Sequence, residues 1–67
     1  MENIKTVVVG VTGGIAAYKA LDVISRLKKA NLDVNVIMTE HSTKFVSPLS
    51  FQSLSQNMVI MNWVWKN

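Results

Sequence analysis

A chain of 67 residues forms at most one small domain, which buries roughly 60% of the surface that its unfolded form exposes, so we expect it to need a partner. Its hydrophobic share of 49% falls in blocks too short to cross a bilayer, and the absence of cysteine excludes disulfide scaffolds and thiolate zinc sites. The net charge is +3, with neither a nucleic-acid motif nor a secretory signal, so we predict a soluble, cytoplasmic protein that binds no nucleic acid and no membrane.

The first predicted unit is a strand, a helix and a second strand. Residues 4–11 are rich in β-branched side chains with little polar interruption, which is typical of a parallel strand covered on both faces. Residues 15–30 repeat apolar side chains at three- and four-residue spacing, which predicts an amphipathic helix ending at Asn31 as a left-handed cap. A second strand is predicted over residues 34–39. The apolar positions of the helix are Ala16, Ala17, Ala20, Leu21, Val23, Ile24 and Leu27.

Two shorter helices and a third strand are predicted next. Residues 40–46 favour a short helix, and Ser47 followed by Pro48 is typical of the start of another one, which we expect to run to residue 56. A third strand is predicted over residues 58–61. Trp63 and Trp65 fit either an edge strand or an interface. The expected apolar anchors of the longer helix are Leu49, Phe51 and Leu54.

The turn between the first strand and the first helix is the strongest functional signal. It contains Gly13 and Gly14, whose lack of Cβ atoms lets the backbone turn tightly and approach a ligand closely. The free N–H groups of the following helical turn then face an anion. Because parallel α/β sheets bind ligands beyond the carboxyl ends of their strands, Thr39 belongs to the same edge. The pattern predicts a phosphate site in the front half of a doubly wound α/β domain.

Other nucleotide motifs fit this turn less well. A dinucleotide fingerprint would place Gly10, Thr12 and Ile15 on its three glycine positions, and two of the three are not glycine. Glu40 nevertheless follows the second strand, where dinucleotide-binding domains carry a ribose-binding acid, so this interpretation stays open. A P-loop is rejected, because Lys19 follows a tyrosine instead of a glycine. A glycine pair that serves only the tight turn also stays open.

Three blocks of the sequence resemble a known family. They are residues 11–19 (VTGGIAAYK), 38–42 (MTEHS) and 45–55 (FVSPLSFQSLS). Together they resemble the N-terminus of the phosphopantothenoylcysteine decarboxylase domain, which opens the bifunctional coenzyme A biosynthesis flavoprotein of bacteria. This domain belongs to the homo-oligomeric flavin-containing Cys decarboxylases. The resemblance implies a flavodoxin-like (Rossmann-like) α/β fold, of which residues 1–67 form the N-terminal βαβ(αα)β portion.

The resemblance also implies a cofactor and the residues that bind it. Gly13, Gly14 and Ile15 match the first flavin-contacting loop, whose backbone approaches the phosphate and ribityl chain of FMN. Thr39 matches a Ser or Thr that hydrogen-bonds the FMN phosphate, and Ser42 is expected to add a hydroxyl or an N–H group. A short hydroxyl suits a phosphate oxygen there.

The implied reaction is flavin-dependent decarboxylation of 4'-phosphopantothenoylcysteine to 4'-phosphopantetheine, in a homo-oligomer built from trimers. The catalytic His and the substrate-binding segments of the family match no residue here, and His41 lies in a block where the family does not keep that His. We therefore assign no catalytic and no metal-binding residue, and expect the 67-residue chain alone to be inactive. Alternatives left open are a dinucleotide-binding domain, a flavin prenyltransferase-like domain and a non-catalytic interaction subunit of the same family.

Overall fold

The fold alternates strands and helices as the sequence predicts. A computed structural model describes residues 4–62, with the backbone alone for Asn62. Its elements are β1 (Thr6–Val11), α1 (Gly14–Lys29), β2 (Asp33–Thr39), a 3₁₀ helix (His41–Lys44), α2 (Pro48–Ser55) and β3 (Ile60–Asn62). Their boundaries shift from the predicted ones by only one or two residues. The predictions for Trp63 and Trp65 lie outside the described residues. Within residues 4–62, no helix combines the length and the apolar character needed to span a membrane.

The three strands form one parallel sheet in the order β1-β2-β3. Val9 of β1 pairs with Val36 of β2, and Met38 pairs with Met61 of β3. Right-handed crossovers that step across a sheet in one direction place their helices on the same face, and α1 and α2 do contact each other. This arrangement confirms the predicted flavodoxin-like (Rossmann-like) α/β class, a parallel sheet with flanking helices.

The hydrophobic core lies between this helical layer and one face of the sheet. β2 contributes the centre of the core, because its alternate side chains are fully buried beneath both helices. Ala17 and Ala20 are small, which lets α1 approach the strands closely. The buried apolar residues are Val11, Ala17, Ala20, Ile24, Val34, Val36, Met38, Val46 and Phe51.

The prediction that β1 is covered on both faces is wrong within the described part of the chain. On the face opposite the helices, Val8 of β1 is 59% exposed and Ile60 of β3 is 53% exposed. The reason is topological: both crossovers run in the same direction, so neither helix reaches this face. The β-branched run therefore predicted the strand correctly, but the burial expected from it was too high.

The predicted burial of the helices also needs correction. Among the three expected anchors of α2, Phe51 is buried, whereas Leu49 is 68% exposed and Leu54 is exposed. Residues two apart point to nearly opposite sides of a helix, so Leu49 and Phe51 cannot both face the core. In α1, Ala16 and Val23 are exposed because they lie at the margin of the buried stripe.

The helix ends follow the predicted capping chemistry. The Ser47 hydroxyl accepts a hydrogen bond from the Leu49 N–H at 3.2 Å, which confirms Ser47 as the N-cap of α2. Asn31 adopts φ 64°, which confirms its left-handed conformation after α1. Gln56 ends α2 in the same conformation at φ 62°, which the sequence did not predict.

We expect truncation of Phe51 to destabilise the domain far more than truncation of Leu49. Phe51→Ala removes a fully buried ring, for which we expect a loss of about 3–5 kcal/mol in the free energy of unfolding. Leu49→Ala, in the same helix but exposed, should change it by less than about 0.5 kcal/mol. Urea unfolding followed by far-UV circular dichroism measures both. Equal losses in the two variants would contradict the burial described here.

Candidate functional site

The candidate site lies where β1 and β2 end side by side. Val11 pairs with Met38 at the last register position of β1, so the residues that follow each strand become neighbours. The Thr39 hydroxyl donates a hydrogen bond to the Thr12 carbonyl oxygen at 3.3 Å. This bond joins the glycine turn after β1 to the end of β2. The edge is the carboxyl edge of a parallel sheet, where such folds bind ligands.

Gly13 presents the first turn of α1 to open space. It is the N-cap of α1 in an extended conformation with φ −151°, and it supplies no side-chain hydrogen bond to that turn. A Cβ atom built on Gly13 would meet nothing within 4 Å. The first turn carries no acidic side chain, so the partial positive charge of the helix N-terminus is not neutralised there. These features fit an anionic ligand.

Gly14 has a different steric role, because it lies against an aromatic side chain. A Cβ atom on Gly14 would approach Phe45 Cδ1 to 2.9 Å, which real contacts essentially never show, and Cε1 to 3.0 Å, which is tighter than most real contacts. The Tyr18 hydroxyl donates to the Phe45 carbonyl oxygen at 3.4 Å, and the His41 ring stands edge-on to the Phe45 ring at 5.3 Å between centroids. Phe45 thus packs beside the first turn of α1, against Gly14.

The turn after β2 is built around Thr39 and Ser42. The Ser42 hydroxyl donates to the Thr39 carbonyl oxygen at 2.7 Å, and the Ser42 N–H donates to the Thr39 hydroxyl oxygen at 3.3 Å. Ser42 is fully buried, whereas Thr39 is half-buried at the edge of the sheet. The two residues therefore form one hydrogen-bonded unit, and Thr39 is the member at the surface.

The structure brings four of the five predicted site residues into one cluster: Gly13 and Gly14 start α1, and Thr39 with Ser42 adjoins them through Thr12. Ile15 follows on the first turn of α1 with its side chain 77% exposed. Their binding of a cofactor stays a prediction. The sequence analysis did not predict three residues of this cluster. Only one of them, Phe45, carried a signal, because an aromatic residue follows the second strand closely there. The missed residues are Thr12, Tyr18 and Phe45.

The charged groups beside the cluster are few. Glu40 and His41 follow Thr39 directly, and both are exposed. Among residues 4–62, no group of three or more His, Asp or Glu side chains is placed to hold a metal ion. The arrangement supplies hydrogen-bond donors from backbone N–H groups and hydroxyls, which are suited to binding and orienting an anion.

Comparison with known proteins gives a consistent match. The sequence model of the Flavoprotein family matches residues 1–67. The coenzyme A biosynthesis bifunctional protein CoaBC of Borreliella burgdorferi is 42% identical over 62 residues, which are 92% of this chain and 16% of that protein. CoaBC of Bacillus subtilis is 51% identical over 59 residues, 88% of this chain, and CoaBC of Escherichia coli K12 is 49% identical over 51 residues, 76% of this chain.

The chain spans only 13% to 16% of the length of these three relatives. Within that span the matches confirm the family resemblance expected from the three sequence blocks.

We expect Gly14→Ala to destabilise the domain through Phe45. The added methyl group would force the Phe45 ring to move, at an expected cost of about 1–3 kcal/mol in the free energy of unfolding. In a Phe45→Ala background the methyl group has room, so the same change should cost less than about 0.5 kcal/mol. A double-mutant cycle by urea unfolding measures the difference. Equal costs in both backgrounds would show that Phe45 is not the obstacle.

Proposed function

Because this chain belongs to the Flavoprotein family, we propose that the edge formed by its glycine turn and Thr39 binds the phosphate group of FMN. We further propose that residues 1–67 act as the N-terminal, FMN-binding portion of a phosphopantothenoylcysteine decarboxylase domain. The observation that carries this proposal is the N-terminus of α1 at Gly13, which no side chain caps, with the Thr39 hydroxyl joined to the same turn. The names of the CoaBC relatives, which refer to coenzyme A biosynthesis, support the assignment.

The chemistry of the donors fits a phosphate monoester. Backbone N–H groups in the first turn of α1 point toward the space beside Gly13, where no side chain intervenes. The Thr39 hydroxyl adds a donor from the neighbouring strand, and its present acceptor, the Thr12 carbonyl oxygen, is distant at 3.3 Å. An O–H···O⁻ bond to phosphate is shorter and about twice as strong as a neutral one. A phosphate oxygen would therefore compete well for the Thr39 proton.

In the complete domain, these residues would bind and orient the cofactor. When bound, FMN would supply the hydride acceptance and return that accompany decarboxylation of 4'-phosphopantothenoylcysteine to 4'-phosphopantetheine. Gly13 and Thr39 would hold the phosphate end, and the Phe45 ring lies against Gly14 beside them. Neither Glu40 nor His41 has a side-chain hydrogen bond within residues 4–62 that would mark an acid–base pair. We propose that the 67-residue chain alone is inactive.

The assembly and the location belong to the same proposal. We propose a trimer-based homo-oligomer in the cytoplasm that takes a small-molecule substrate. The exposed apolar side chains of Val8 and Ile60 on the uncovered sheet face, and of Leu49 on α2, support the need for further covering surface.

We expect the complete gene product to purify as a yellow protein that releases FMN on denaturation. Visible absorption and the mass of the released cofactor measure this directly. The synthetic 67-residue chain serves as the comparison, and we expect it to release no CO₂ from 4'-phosphopantothenoylcysteine. Release of a dinucleotide would favour the interpretation based on Glu40. A colourless product that binds another protein and no flavin would favour an interaction subunit.

We expect Thr39→Val to weaken FMN binding while leaving riboflavin binding unchanged. Valine keeps the β-branched shape and removes the hydroxyl, so the phosphate loses a donor. The Ser42 N–H and the Thr12 carbonyl oxygen also lose a partner, but they lose it equally whichever flavin is bound. A hydrogen bond to a charged group contributes about 1.5–3 kcal/mol, which corresponds to about a 10- to 150-fold loss of FMN affinity. Thr6→Val, the same change at the opposite end of the sheet, is the matched control. Fluorescence titration of flavin measures both. An equal loss of FMN and riboflavin affinity would contradict a phosphate contact.

A further inference from the structure

Ser42 has no surface from which its side chain can reach a ligand. Its exposed fraction is 0%, and its hydroxyl proton is used in the 2.7 Å bond to the Thr39 carbonyl oxygen. A serine hydroxyl has one proton to donate, so a second donor bond to a phosphate oxygen would require breaking the first. Its backbone N–H is also used, in the bond to the Thr39 hydroxyl oxygen.

The Thr39 hydroxyl accepts one hydrogen bond and donates another. Its oxygen accepts the Ser42 N–H, which leaves the proton to be donated elsewhere. In this structure the Thr39 hydroxyl donates to the Thr12 carbonyl oxygen at 3.3 Å, which is long for an O–H···O bond, whose usual value is about 2.7–2.8 Å. The bond from the Ser42 N–H, also 3.3 Å, is likewise longer than the usual N–H···O distance of about 2.9–3.0 Å. The Thr39 hydroxyl therefore lies between two partners, and its own hydrogen bond to the Thr12 carbonyl oxygen is weak.

We propose that Ser42 is a positioning residue that acts through Thr39. The Ser42 hydroxyl fixes the turn after β2, the turn places the Ser42 N–H against the Thr39 hydroxyl oxygen, and the Thr39 proton is thereby directed toward the glycine turn. This inference rests on the proposed binding of the FMN phosphate at Thr39. It replaces the expectation that Ser42 contacts the cofactor with its own hydroxyl.

The test is a double-mutant cycle on the complete gene product, with FMN and riboflavin as the two probes. Ser42→Ala should weaken FMN binding about three- to tenfold, as expected for one lost hydrogen bond, and change riboflavin binding less than about twofold. In a Thr39→Val background, Ser42→Ala should cause no further loss of FMN affinity, because the residue through which it acts has lost its hydroxyl. Flavin fluorescence titration measures all four proteins.

The matched control is Ser55→Ala, which removes the hydroxyl of the other buried serine. Ser55 bonds to Asn57 at the opposite end of the sheet, so this change should lower stability without altering the affinity for either flavin.

Ser42→Cys is a second variant for the case that Ser42→Ala does not fold. The thiol fills the buried space and is a weak donor, and we expect a smaller loss of FMN affinity than in Ser42→Ala, again absent for riboflavin.

Several outcomes would overturn the inference. A Ser42→Ala loss that persists in full in the Thr39→Val background would indicate that Ser42 contacts FMN directly. Equal losses for FMN and riboflavin would indicate a general structural role, and unchanged FMN affinity would remove any role. Failure of the wild-type protein to prefer FMN over riboflavin would instead overturn the phosphate site itself, and the positioning role with it.

Discussion

The parallel pairing of β1 with β2 beneath two helices is the constraint on which the site depends. Val34, Val36 and Met38 are fully buried, so β2 cannot slip by one residue without turning this face toward solvent. That fixed register ends at the pair of Val11 with Met38. The core therefore places the turns that follow the two strands side by side, and the bond from Thr39 to the Thr12 carbonyl oxygen joins them.

The local elements were predictable because short-range chemistry determines them. The β-branched run of β1 and the capping serine before α2 each indicated its element directly, and Asn31 correctly indicated the left-handed end of α1. Coverage of the sheet was not predictable in the same way. It depends on the direction of successive crossovers, and a run such as that around Val8 has the same pattern whether one face or both are covered.

The site was predictable where it depends on the backbone and not where it depends on packing. Two adjacent glycines after a strand indicated the turn, yet their sequence does not distinguish Gly13, beside open space, from Gly14, against Phe45. The resemblance likewise suggested that Ser42 contacts the ligand through its hydroxyl or its N–H group. Only its burial and its bond to the Thr39 carbonyl oxygen show that its proton is already used.

The strand order places the glycine turn where doubly wound sheets bind their ligands. In doubly wound sheets the order 3-2-1 makes β1 the strand at which the direction of winding reverses, and ligands bind in the crevice beyond its carboxyl end. Gly13 lies beyond that end, and Thr39 lies at the carboxyl end of β2, the strand that pairs with β1. Their donors are held in place by the core, so the phosphate binding that we propose would need little reorganisation. Hydroxyl and N–H donors bind charge without exchanging protons, so the role that we propose for this edge is to position a cofactor.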